Sequence, residues 1–124
     1  MIVVLPTLLL IFFAIVEFSR AWLTVNIVTT ATREGARVGV VTPTLGGDVF
    51  DSAPAVARID QILTSANLLA GATRIVTCAT PCVRDSQVQA NVQVPFSTFV
   101  PVFLPMLANT QNIVINRTTT MRYE

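Results

Sequence analysis

Residues 1–16 read MIVVLPTLLLIFFAIV and residues 17–40 read EFSRAWLTVNIVTTATREGARVGV, with no turn signal between them. The pair is one long helix with two jobs. The first part holds no charged residue, and a backbone amide in hydrocarbon is satisfied only within a helix or a closed barrel, so this half belongs in a membrane or among copies of itself. The second part carries Glu17, Arg20, Arg33, Glu34 and Arg37, which keeps it out of lipid. Phe18, Ala21, Trp22, Val25, Val28 and Ala31 recur at helical spacing and predict one apolar stripe on which a small domain lies.

Sixteen residues at about 1.5 Å each reach roughly 24 Å, short of a hydrocarbon core of about 30 Å. Such a helix either thins the bilayer or begins upstream of Met1. Pro6 fits the same picture, because a proline in the first turns removes a donor that has no partner there, and a packed bundle tolerates a kink. A secretory signal peptide would need a charged start and a small-residue cleavage site after the apolar run, and the sequence has neither.

With about forty of 124 residues in the helix, one compact domain is left, enough for a single modest core. The expected division is residues 1–41 as helix, apolar over 1–16 and amphipathic over 17–41, and residues 42–124 as a compact head, which the resemblance described below places outside the cytoplasm. Apolar residues make up 52%, charged residues 12%, and the net charge is +1, a balance that does not capture nucleic acid or an anionic surface by charge. All eight basic residues are Arg. Without Lys or His the chain lacks the usual general base, metal ligand and Schiff-base amine together.

Past the helix, Pro43 and the Gly46-Gly47 pair mark the first break. Ser52 reads as an N-cap beside Asp51, with Pro54 in the first turn of a second helix that presents Val56, Ile59, Ile62, Leu63, Ala66 and Leu69 and stops at Gly71. Asp48 and Asp51 near the Gly pair match no calcium-ligand spacing and read as a capped turn. A strand is predicted over about 73–79. Val88, Ala90, Val92 and Val94 then alternate with Gln87, Gln89, Asn91 and Gln93, the period of a strand with one buried face. The last strand, about 112–123, has Ile113, Ile115, Met121 and Tyr123 on one side. The expected fold is α+β: three antiparallel strands packed on the long helix, with the short helix on an edge or flank. Between the last two strands, residues 96–111 form a loop rich in Pro and apolar residues. Its Phe99, Phe103, Leu104, Met106 and Leu107 either fold under the sheet or offer a patch to a neighbouring subunit.

The opening VLPTLLLIFFAIVEFSRAW, the TTATREGARVGV after it and the final MetArgTyrGlu after an isoleucine-rich strand resemble the TadE-like pilins and pseudopilins of bacterial tight-adherence systems, which are related to type IV pili. The resemblance implies a pilin-like fold, a precursor in the inner membrane, cleavage by a prepilin peptidase, and incorporation into or priming of an extracellular adhesive filament. It also implies other pilins, copies of the chain itself and the pilus assembly machinery as partners, and no cofactor or nucleic acid. The family's cleavage-site glycine and the glutamate a few residues beyond it have no counterpart here, and position 5 is Leu5. About five residues upstream of Met1 would supply them and lengthen the span as well.

The assembly residues expected on this basis are Pro6, Glu17, Arg20, Trp22, Ala31, Gly35 and Gly39. Each has a plainer reading. Glu17 and Arg20 pair either across subunits or with each other where lipid ends. Ala31, Gly35 and Gly39 make a small-residue ridge that admits another backbone closely, from the chain's own sheet or from a neighbour's helix. Arg33, Glu34 and Arg37 read as a solvated face. Cys78 and Cys82, spaced around Pro81 in an exported domain, are expected to form a disulfide that pins a turn, since two thiols without His make a poor zinc site. Nothing in the sequence supports catalysis. The reading is a structural pilin subunit, with a membrane-anchored binding module that never polymerises as the alternative.

Overall fold

The computed structural model describes residues 4–42, 50–79, 82–83, 85–98 and 113–122. The order is a 38-residue helix α1 (Val4–Val41), a helix α2 (Ala53–Ser65), and strands β1 (Thr73–Cys78), β2 (Gln87–Phe96) and β3 (Ile113–Arg122). The strands form one antiparallel sheet in the order β1-β2-β3. This is the expected α+β arrangement of a long N-terminal helix, a short helix and a three-stranded sheet.

β2 organises the head because it is central and strictly alternating. Val88, Ala90, Val92, Val94 and Phe96 are buried, whereas Gln87, Gln89 and Pro95 face out. The register sets Cys78 and Met121 on either side of Val88, Val76 and Thr119 beside Ala90, and Ile115 beside Val94. Against this face lie α1 and, on the β1 side, α2, whose Ala55, Ile59 and Leu63 complete the core. On the opposite face the sheet is uncharged at its centre: Asn91 Nδ2 donates to Asn116 Oδ1 at 3.0 Å and to Thr118 Oγ1 at 2.7 Å, tying β2 to β3.

Local chemistry revises three expectations. Ser52 holds the N-cap position of α2 as expected, but its side chain makes no capping bond; the backbone N–H of Ala53 donates instead to Asp51 Oδ1 at 2.9 Å, a carboxylate beside a helix N-terminus being the stronger acceptor. α2 ends at Ser65, well before Gly71. Asn67 takes the left-handed conformation (φ 56°), Leu68 N donates to Leu63 O at 2.8 Å and Asn67 N to Thr64 O at 3.0 Å, a Schellman ending in which Asn does what Gly was expected to do. Gly71, also at positive φ (76°), serves the turn into β1 instead. Phe96 is the last residue of β2 and is buried, so it does not belong to the loop.

Candidate assembly and membrane surface

The two ends of α1 meet different surroundings. Thr24, Val28, Ala31, Thr32, Gly35, Ala36 and Gly39 are buried, and they recur at the three- and four-residue spacing of one helix face. Buried hydroxyls on this face are satisfied within the helix: Thr24 Oγ1 donates to Arg20 O at 3.0 Å, and Thr32 Oγ1 lies 2.8 Å from Val28 O and 2.9 Å from Thr29 O. From Val4 to Val16, by contrast, every residue is exposed, including Leu5, Leu8, Leu9, Ile11, Phe12 and Ile15. α1 is long and apolar enough to cross a membrane, with a mean hydropathy of 1.9 over its most apolar stretch.

The ridge residues are used inside the chain. A Cβ on Gly35 would sit 2.5 Å from both Cγ1 and Cδ1 of Ile59, so Gly35 faces α2 rather than the sheet. Gly39 faces the sheet: its Cβ would meet Val88 Cγ1 at 3.1 Å, Phe50 Cζ at 3.3 Å and Val76 Cγ1 at 3.6 Å. Ala31 lies fully buried in the same core.

Phe18 and Trp22 depart from the expected stripe. They are 70% and 61% exposed, and their rings stack on each other, 6.4 Å between centroids and 20° between planes. The stripe that meets the head instead runs through Ala21, Thr24, Val28 and Ala31, about a quarter-turn or more away. Periodicity alone could not separate the two, because the turn around residues 18–25 is apolar on both sides.

Glu17 and Arg20 pair within the chain, with Arg20 Nη1 3.2 Å from Glu17 Oε2. The Arg20 guanidinium also lies over the Phe96 ring, 5.6 Å from its centroid, so the helix is fastened to the end of β2 where it leaves the head. The sequence alone places Phe96 in a loop and gives no sign of this contact. Glu34 comes within 3.8 Å of Arg58 on α2, and Arg74 Nε lies 2.8 Å from Asp60 Oδ1 as an ion pair without the alignment of a hydrogen bond, joining β1 to α2. Arg33 and Arg37 are exposed, as expected of a solvated face.

Cys78 and Cys82 form the expected disulfide, with their Cα atoms 5.7 Å apart. Cys82 is buried. The bond lies in the connection from β1 to β2, where Ser86 N donates to Val83 O at 2.9 Å and Val83 N donates to Ser86 Oγ at 3.2 Å. Pro6 lies within α1. Phe99, Phe103, Leu104, Met106 and Leu107, together with Pro43, Gly46, Gly47, Pro81 and Tyr123, lie outside the described residues.

Residues 1–37 match the family model of TadE-like protein, the family whose motifs the sequence resembles. That family is structural and pilus-related rather than enzymatic. No curated protein and no solved structure matches the chain.

Proposed function

We propose that this chain is a structural pilin subunit of a Tad-type, type IV-like pilus. It is held in the inner membrane by the N-terminal half of α1 and passes into an extracellular filament when that half is buried among copies of itself or other pilins. The observation that carries the reading is the division of α1: one half completes the core of a small head, and the other presents a continuous apolar rod that water does not tolerate. A bilayer satisfies such a rod, and so does a bundle of identical rods. The same helix surface can therefore serve in both places, with the transfer between them left to the assembly machinery.

Processing by a prepilin peptidase, handling by the assembly machinery and a role in adhesion come with this reading. The test is to shear the surface of cells that make the protein together with its secretion system, and to image and immunolabel the filaments released. Filaments containing the chain, and their loss when the apolar half is broken by Leu9→Arg, are the expected result. A chain found only as a membrane monomer under those conditions would leave the non-polymerising anchored module as the better reading.

A further inference from the structure

On the membrane-anchored reading above, we infer that the lipid-facing surface of α1 extends through Leu23, past the first two charged residues, and that Trp22 sits at the headgroup level with the end of the head resting on the bilayer. Four observations lead there. Glu17 and Arg20 lie on the helix face that continues through Ala21 and Thr24 into the head; Glu17 is only 15% exposed along its side chain, and the two charges are held to each other, with Arg20 over Phe96. On the outward face of the same turns stand Phe18, Trp22 and Leu23, all exposed. The polar outward side chain among them, Ser19, donates its hydroxyl to Ile15 O at 2.9 Å, the bond that other hydroxyls of α1 also make, so it presents no unsatisfied donor to lipid. The next outward polar group is the exposed amide of Asn26.

Moving the boundary from Val16 to Leu23 lengthens the apolar span by seven residues, roughly 10 Å at about 1.5 Å per residue. An indole prefers the interface between chain and headgroup, and the stacked Phe18–Trp22 pair occupies that level. In the anchored state before assembly the bilayer is the occupant of this surface, because Phe18, Trp22 and Leu23 continue the exposed apolar rod that the membrane already surrounds.

Trp22 is the sole tryptophan, which makes it a native depth probe. The full chain is reconstituted, unreduced, in phosphatidylcholine vesicles and floated on a density gradient, then re-examined in lipids brominated near either end of the acyl chain. Expected are flotation, weak quenching of Trp22 by acrylamide, and a larger fractional loss of emission with bromine near the headgroup than near the methyl end. In outward-facing heads a membrane-impermeant maleimide should label Asn26→Cys but not Ser19→Cys. Flotation with Trp22 open to acrylamide and untouched by brominated lipid, or with Ser19→Cys labelled as fast as Asn26→Cys, would overturn this boundary and leave the anchor standing. Protection of Ser19→Cys without quenching by brominated lipid would assign the surface to a second copy and overturn the boundary too. Failure to float would overturn the anchor and the boundary together.

Discussion

The inner and outer halves of α1 invert the usual rule for a helix. Its large apolar side chains, Leu8, Leu9, Phe12, Ile15 and their neighbours, stand exposed, whereas the face packed in the head is built from Gly, Ala and Thr with Val28 as its largest member. The difference teaches that two separate demands shape one continuous helix. The outer half is matched to a solvent, and any apolar side chain of adequate size serves there. The inner half is matched to specific backbones and side chains at close range, and there size is limiting while hydrophobicity is secondary.

Substitutions can break or sharpen that contrast. The largest effect is expected from Gly35→Leu, because even a Cβ at this position would lie 2.5 Å from a fully buried Ile59; overpacking of this kind costs about 3 kcal/mol or more, enough to lose the folded head in detergent. Leu9→Ala should leave thermal unfolding of the head unchanged, since Leu9 touches solvent rather than the core. Equal shifts in the two variants, followed by near-UV circular dichroism, would erase the distinction between the halves.

Next comes the disulfide. Closing a five-residue ring is worth about 2 kcal/mol in the chain-entropy model, so a Cys78→Ser, Cys82→Ser double variant should melt several degrees lower yet remain folded. Collapse of the fold would mean that the buried Cys82 supports the core as well as the turn. Arg20→Ala removes a cation–π contact and a partly exposed ion pair at the junction of the halves, and a loss of about 1 kcal/mol is expected from chemical denaturation. A loss above that of the disulfide would make the junction part of the core rather than its edge. Arg33→Gln should fall within about 0.5 kcal/mol, as for any exposed position on the solvated face.

Much of this was legible in the sequence where one period dominates. The alternation of Val88, Ala90, Val92 and Val94 with amide residues fixes a strand and its buried side, and the charge-free run fixes the rod. Helix ends were less legible. Asn67 competes with Gly71 for the left-handed position and Asp51 with Ser52 for the cap, and such choices are made by tertiary fit rather than by residue type. The face of α1 around residues 18–25 was the hardest to read, because both of its sides are apolar and only the docked sheet separates a stripe that packs from one that stays bare. Gly35 reads as a point of close approach, but its partner, Ile59 on α2, lies on an element whose position no local pattern specifies.

The smallness of the buried face has a consequence in time. Residues 24–39 leave the ribosome early, and although α2 follows at 53–65, the strands that cover the rest of this face, β2 and β3, come at 87–96 and 113–122, so the helix waits for most of the chain before its packing is complete. A waiting face of leucines would be a standing invitation to misassembly, or would slide on into the bilayer behind the rod. A face of Gly35, Gly39, Ala31, Ala36, Thr24 and Thr32, with its hydroxyls bonded to its own backbone, offers little to either. The residues that let the head close tightly are therefore also those that keep its unfinished half quiet.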